Sequence, residues 1–335
     1  MNGINFTFSR TAAWAFPSLL LGLLACDAPR QNPFDPRAEN YRAQARSTIT
    51  VRRLYPPNQG LSEVVVREDR LQLLGITDAN GMVKWSHPYR DTLLITASRS
   101  GYFATTVRCR AAGVDNAWEV YLNAEPQVTA ARIYSIRDNS GDLTYVGMEA
   151  GIHDADGRAD IQTVTLRLQS GTFSAALQLD DPLTETYSTR FNIGKLPGNI
   201  SNEELPTLDF ALVVKNLNQD SLVFAPYSVR RVITQTLRPL LPNLDRPESG
   251  SILFTWERLT LPYEHFYRIV LFRLEASPLR IADFGPLPAT QESFLLEDPD
   301  ILSALAPGWY LWILQVEDRL GNRGESNAVS FQYFK

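Results

Sequence analysis

The sequence predicts an all-β fold: tandem β-sandwich domains that follow a cleaved signal peptide and a flexible tether. From Thr48 onwards, short segments alternate between apolar and polar residues, which is the pattern of half-buried strands. Turn-forming residues punctuate these segments about every 8–12 residues, a spacing that favours β-sandwiches. Ahead of them, an apolar run follows a lone positive charge at Arg10 and ends at Cys26.

The apolar run, residues 12–24, is shorter than the about 18 residues that a membrane-spanning helix needs. A charged start, a short apolar stretch and a small residue before the cut are typical of a secretory signal. Residues 23–26 (LLAC) resemble the lipobox of bacterial lipoproteins. The resemblance implies that residues 1–25 are removed, that Cys26 carries lipid, and that the exported chain is anchored to a membrane of the cell envelope. We expect the outer rather than the inner membrane.

Charge and cysteine content exclude several classes of function. The net charge is −5, and it becomes about −6 once Arg10 is removed with the signal. This mild acidity gives no electrostatic reason to bind nucleic acid. The chain has 2 cysteines, and a lipidated Cys26 leaves Cys109 without an intramolecular partner. We therefore expect Cys109 to be a buried thiol on a strand.

Residues 26–47 contain prolines and many polar residues, which favour a tether over a folded element. The first predicted β-sandwich covers residues 48–124, and Asn80-Gly81 is its strongest hairpin signal. Residues 77–83 (TDANGMV) and 100–102 (SGY) resemble the carboxypeptidase-regulatory-like domain, a small transthyretin-like sandwich. That domain class has no catalytic residues to carry over.

The second predicted β-sandwich covers residues 125–237. Residues 161–168 (IQTVTLRL) alternate strictly, residues 208–214 (LDFALVV) indicate a more buried strand, and residues 227–233 (YSVRRVI) indicate the closing strand. This pattern favours an immunoglobulin-like sandwich. Ser201, followed by two glutamates, predicts one short helical turn.

The third predicted β-sandwich, residues 238–335, resembles a fibronectin type III domain over nearly its whole length. Residues 252–256 (ILFTW) supply an early core tryptophan, and residues 305–310 (LAPGWY) match the corner before the penultimate strand. Residues 310–318 (YLWILQVED) then match that strand. The resemblance implies that Trp256 and Trp312 point into the core.

No catalytic residue is predicted. Nucleophile, phosphate-loop and dinucleotide motifs are absent from the sequence, and no cofactor is expected. The three histidines fall one in each predicted domain, so we expect surface or strand-end residues rather than a metal site. Asp154, Asp156 and Asp160 form a weak candidate for calcium. Their spacing does not fit a full calcium loop, and the preferred interpretation is a hydrated turn.

Alternation along residues 310–318 sends Trp309, Leu311 and Ile313 away from the core. The outer face of a sheet is usually polar, and a contiguous apolar surface usually marks an interaction site. We expect these three side chains to pack against the second domain or a partner protein. Cover by a loop of the same domain is the alternative.

These observations predict a non-catalytic, membrane-anchored envelope lipoprotein that acts as a scaffold or protein-binding module. One alternative is a glycan-binding lipoprotein of a polysaccharide-uptake system, which clustered exposed tryptophans would favour. A second is a hydrolase with a pair of carboxylates in a deep cleft. Neither a nucleic-acid partner nor a cofactor is part of any of these predictions.

Overall fold

A computed structural model describes residues 44–68 and 73–335. The predicted signal peptide, Cys26 and nearly all of the tether lie outside the described residues. The fold is all-β and is built from tandem β-sandwiches, as the sequence predicts. The described residues divide into two compact units, one ending at Ala124 and the other running from Glu125 to Lys335. Within the described ranges, no helix has the length and apolar character needed to cross a membrane.

The first unit contains two sheets. Its strands are β1 (Gln44–Arg53), β2 (Val65–Glu68), β3 (Leu73–Ile76), β4 (Met82–Pro88), β5 (Thr92–Ser98), β6 (Thr105–Arg110) and β7 (Asp115–Leu122). One sheet has the order β4-β1-β7 and the other β3-β2-β5-β6. β1 begins at Gln44 rather than at Thr48, because Ala45 and Ser47 are already buried against the first unit's own core.

Asn80-Gly81 forms a tight turn between β3 and β4, but the hairpin prediction is wrong, because β3 is paired with β2 and β4 with β1 in the other sheet. Asp78 Oδ1 accepts hydrogen bonds from the backbone N–H groups of Asn80 and Met82, both at 2.9 Å. Gly81 has φ 78°, and a Cβ at this position would lie 2.4 Å from the carbonyl oxygen of Val51. Both the conformation and the close approach of the backbone therefore require glycine.

The second unit holds most of the strands. The strands of its first half are β8 (Gln127–Asp138), β9 (Leu143–His153), β10 (Ile161–Leu168), β11 (Ser174–Asp181), β12 (Thr186–Asn192), β13 (Phe210–Asn216) and β14 (Ser221–Tyr227). The strands of its second half are β15 (Pro239–Leu241), β16 (Glu248–Ser249), β17 (Ile252–Trp256), β18 (His265–Arg273), β19 (Leu279–Pro288), β20 (Ser293–Leu296), β21 (Gly308–Asp318), β22 (Arg323–Glu325) and β23 (Val329–Phe334). A single helix, α1 (Pro299–Ala304), precedes β21 in the described chain.

Each half of the second unit has its own hydrophobic core. The prediction of a closing strand over residues 227–233 is wrong, because β14 ends at Tyr227 and residues 228–238 form no strand. Val229 packs into the first core, whereas Ile233 and Leu237 pack into the second. The segment connects the two cores, and its alternating apolar residues serve both of them.

A single 13-stranded sheet runs through both halves, with the path β14-β13-β10-β11-β12-β9-β8-β22-β21-β18-β19. Its other two strands lie off this path: β23 is paired with β21, and β16 with β23. The short strand β22 makes the connection. Arg323 is paired with Glu317 on the antiparallel strand β21 and with Ile136 on the parallel strand β8. Side chains of the two halves therefore share continuous sheet faces.

A buried polar network stabilises this junction. Asn322, which has no exposed surface, accepts a hydrogen bond from the Ser135 N–H at 3.0 Å and donates one to Asp318 Oδ2 at 3.0 Å. Arg231 Nε lies 3.3 Å from the same Asp318 oxygen. Buried polar groups that are satisfied in this way fix a unique arrangement, because each loses a partner when the halves separate.

Local features of the second half follow the sequence prediction. Trp256 and Trp312 are buried, and Tyr310 Oη donates a hydrogen bond to the Ala306 carbonyl at 2.8 Å. This bond closes the predicted corner before β21. In the first half, Ser201 Oγ accepts from the Glu204 N–H at 3.2 Å and begins the predicted helical turn.

Candidate functional site

The outward face of β21 carries three large apolar side chains. Trp309, Leu311 and Ile313 alternate with core residues along the strand, as the sequence predicts. Trp309 is 44% exposed, whereas Leu311 and Ile313 are half-buried. The exposed indole at one end leaves an apolar surface open at this position.

The neighbouring strand β18 extends this surface. Leu311 is paired with Phe272 and Ile313 with Val270, so all four side chains lie on the same face. We call Trp309, Leu311, Ile313, Val270 and Phe272 the apolar strip. None of the five belongs to either core of the second unit or to the apolar residues packed against those cores.

The first half of the second unit continues the sheet sideways through β22 and β8. Trp309, Leu311 and Ile313 are members of neither core, and their packing against the second domain, like cover by a loop of the same domain, stays a prediction. The other part of that hypothesis, contact with a partner protein, stays a prediction.

A polar groove of about 370 Å³ adjoins the strip on the same face. Its floor and walls come from β8, β18, β19, β21 and β22, so it spans the junction between the two halves. We call it the arginine groove. Its lining residues are Arg132, Arg268, Val270, Phe272, Arg280, Asp283, Gln315, Glu317 and Arg323.

Two arginines of the groove share one carboxylate. Arg268 Nη1 donates to Asp283 Oδ1 at 3.1 Å, and Arg280 is also ion-paired with Asp283. A third, Arg132, is bound outside the groove, where its Nε donates to Glu149 Oε2 at 3.0 Å. The side chains around Asp283 therefore carry more positive than negative charge.

Arg323 is less well satisfied. Its guanidinium lies 3.6 Å from Glu317 and 3.8 Å from Glu325, both beyond hydrogen-bonding distance. Its Nε is buried and has no hydrogen-bond acceptor among the residues that the structure describes. Arg323 thus contributes charge to the groove while its donors stay available.

The surroundings of Arg323 are poorly hydrated. Burial raises the pKa of Glu325, because the charged carboxylate loses its water, although Arg190 and Arg323 partly offset this effect. On the adjacent strand, burial and then the Glu149 hydrogen bond raise the pKa of Tyr134 to about 12. A charge-assisted hydrogen bond formed in such surroundings is stronger than one formed in water.

The acidic turn is the sequence's candidate for metal binding. Asp154 and Asp160 are buried, and Asp154 Oδ1 accepts a hydrogen bond from the Asp156 N–H at 2.8 Å. The pKa of Asp154 is raised to about 6, mainly by burial and less by the charges of Asp160 and Asp156, while the hydrogen bond from the Asp156 N–H opposes the rise. In the described part of the chain, no group of three His, Cys, Asp or Glu side chains is arranged to hold a metal ion. The calcium hypothesis therefore rests on the sequence alone.

The three histidines all lie at strand ends, as predicted: His87 in β4, His153 in β9 and His265 in β18. His87 is buried. Its Nε2 lies 2.8 Å from Ser47 Oγ, and its Nδ1 lies 2.9 Å from the Pro88 carbonyl oxygen. The carbonyl requires a proton on Nδ1, so Nε2 accepts from the serine. The pair is satisfied within the core of the first unit.

Tryptophan and cysteine positions bear on the alternative functions. Of the five tryptophans that the structure describes, Trp309 is the one that is exposed, so no cluster of exposed tryptophans is formed. Trp85 packs on Trp118 with ring centroids 6.2 Å apart. Cys109 is buried, as predicted, and burial raises the pKa of its thiol to about 11.

No protein-family model and no curated protein matches the chain. Among solved structures, the FN1–FN3 domains of chicken CNTN1 are similar at 13% identity and a TM-score of 0.29, over 83% of this chain and 93% of that one. BcpA, the major pilin subunit of Bacillus cereus, is similar at 9% identity and a TM-score of 0.29, over 88% and 96%. A DUF3823 family protein from Bacteroides ovatus is similar at 12% identity and a TM-score of 0.26, over 54% and 96%. At these TM-scores the likenesses carry no argument about function.

Proposed function

We propose that this chain is a non-catalytic lipoprotein, anchored through Cys26 to a membrane of the bacterial cell envelope, that binds a partner protein through its outer sheet face. The observation that carries the proposal is the apolar strip. Three large apolar side chains follow one another on the outward face of β21, and the half-buried Phe272 of β18 lies beside them, whereas Val270 is already buried. A surface of this kind is stabilised when a partner removes it from water.

The second unit is suited to such a role because its binding face is rigid. The strip lies on paired strands rather than on loops, and the Asn322 network fixes the two halves relative to each other. Preorganised surfaces bind more tightly, since less conformational freedom is lost on association.

The anchor is tested by replacing Cys26 with serine. The lipobox resemblance implies diacylation, and two acyl chains hold a protein firmly at a membrane. We expect wild-type protein in the membrane pellet and Cys26→Ser in the soluble or uncleaved fraction. Fractionation with an immunoblot measures this, and an exported wild-type protein that is fully soluble would contradict the proposal.

The partner site is tested by crosslinking in living cells. A photoreactive amino acid at Leu311 should give a discrete protein adduct that Ile313→Thr weakens. The matched control is the same photoreactive residue at Val223, which is 55% exposed on β14. Equal adducts from both positions, or none from Leu311, would show that the strip is not a partner site.

A further inference from the structure

We propose that the arginine groove binds a carboxylate of the partner protein, carried by an aspartate or glutamate that follows apolar residues in an extended segment. The inference rests on the proposed function, because the strip and the groove form one surface. It adds the chemistry of the segment that this surface recognises.

The first argument is continuity. Val270 and Phe272 belong to both the strip and the lining of the groove. In the direction of β21, Gln315 comes next after Ile313 on this face. On the antiparallel strand β18, Arg268 comes next to Val270 in the same direction. A chain lying along β21 therefore passes from apolar side chains directly to guanidinium groups.

The second argument is spacing. Alternate residues of an extended strand lie about 6.8 Å apart on one face. Leu311, Ile313 and Gln315 follow this spacing along β21, and Gln315 is level with Arg268. An extended segment with the pattern apolar–x–apolar–x–acidic matches these three positions in register.

The third argument is charge. The lining of the groove contains four arginines and two carboxylates. Arg268 and Arg280 share Asp283, whereas Arg132 is paired with Glu149 just outside the groove. The two Nη atoms of Arg323 lie 3.6 Å from Glu317 and 3.8 Å from Glu325, beyond hydrogen-bonding distance. A carboxylate entering the groove accepts hydrogen bonds from the Arg268 and Arg323 guanidinium groups, and an arginine fork is well shaped to receive it.

The strip favours a protein segment over an acidic glycan. Leu311 and Ile313 are half-buried, branched aliphatic side chains, which pack well against other apolar side chains. They present no flat ring on which a sugar can stack. Trp309 provides one such ring, at the end of the strip remote from Arg323.

The probe for the test is a random decapeptide display library, selected on the purified full-length protein. We expect selected peptides to carry two apolar residues at alternate positions and an acidic residue two positions further on. Absence of acidic enrichment relative to the unselected library, or failure to select any peptide, would overturn the inference.

Binding of one selected peptide is then compared with its glutamine analogue by fluorescence anisotropy. The analogue should bind the wild-type protein at least tenfold more weakly, because a charge-assisted hydrogen bond is lost. Arg268→Gln combined with Arg323→Gln should bind both peptides equally. Arg238→Gln is the matched control, since Arg238 is exposed, ion-paired with Glu257 and outside the groove. Continued preference for the acidic peptide in the double variant would overturn the inference.

Two controls keep the result interpretable. The comparison of the acidic peptide with its glutamine analogue is made on the wild-type protein. It therefore remains valid even if the double variant fails to fold. Oligogalacturonate is the glycan competitor, and stronger binding of it than of any selected peptide would assign the groove to acidic sugars and overturn the inference. If crosslinking at Leu311 captures a partner but no acidic preference exists, the proposed function stands and this inference falls.

Discussion

The two cores of the second unit differ in chemistry although both belong to β-sandwiches. The core around β18 and β21 is rich in aromatic side chains, among them Phe254, Trp256, Tyr267, Tyr310 and Trp312. The core around β9, β10 and β13 is largely aliphatic, with Val, Leu, Ile and Met side chains and few aromatics. One core makes specific polar contacts through its rings, whereas the other consists mainly of packed aliphatic side chains.

Aromatic rings with polar atoms constrain the residues around them. Trp312 Nε1 donates to the Pro242 carbonyl at 2.9 Å, and Tyr267 Oη accepts from the Leu259 N–H at 2.6 Å. The Tyr267 contact joins residues 8 positions apart and the Tyr310 contact joins residues 4 apart, so these spacings are visible in the sequence, whereas Trp312 and Pro242 are 70 positions apart. Aliphatic side chains of similar volume replace one another at little cost, so the other core leaves no comparable fingerprint.

The largest expected effect comes from truncating one large buried side chain in each core. Trp312→Ala should cost about 3–5 kcal/mol, and Leu212→Ala about 2–5 kcal/mol in the aliphatic core. Because one sheet and the Asn322 network join the halves, both variants should lower the same unfolding transition. Differential scanning calorimetry measures this. If Trp312→Ala shifts a transition that Leu212→Ala leaves in place, the two cores unfold independently.

Asn322→Ala tests the junction itself. The variant leaves the buried Ser135 N–H without its acceptor and removes a donor to Asp318, which should cost about 2–3 kcal/mol. We also expect the transition of the second unit to broaden or split in urea. Asn327 is exposed, so Asn327→Ala should change stability by less than about 0.5 kcal/mol. Equal effects of the two variants would show that the network does not stabilise the junction.

A smaller, pH-dependent effect distinguishes the aliphatic half. Burial raises the pKa of Asp154 from 3.8 to about 6, so the folded state holds this proton more tightly than the unfolded chain does. Stability therefore falls as the pH rises from about 4 to about 6 and is constant above that range. Asp154→Asn should stabilise the protein by up to about 2–3 kcal/mol at pH 7.5 and by nothing at pH 3.

Urea unfolding at several pH values measures this difference, with the exposed Asp245→Asn as control. No stabilisation at pH 7.5 would contradict the raised pKa.

Calcium binding at the same turn can also be tested. We expect no calcium-dependent rise in the melting temperature. A rise that disappears in Asp156→Ala would overturn the preference for a hydrated turn.

What could be predicted from the sequence was local. The turn at Gly81 and the corner at Tyr310 depend on residues a few positions apart, so their patterns could be recognised. Which strands pair on either side of the Gly81 turn could not be recognised, and the predicted hairpin is not formed. The outward direction of Leu311 followed from simple alternation. By contrast, Ser135 and Asn322 are 187 positions apart, and their hydrogen bond depends on the pairing of β8 with β22. The arginine groove draws on five strands, so no local pattern could reveal it.

The two end strands of the long sheet carry prolines. β14 contains Pro226, and β19 contains Pro286 and Pro288. Proline has no N–H to offer an incoming strand, so these edges are poor templates for adding another chain. The sheet is therefore protected against growing into a fibre by edge-to-edge stacking of copies, a hazard for any long open sheet. The broad face of the sheet, rather than its margins, is what stays open to other molecules.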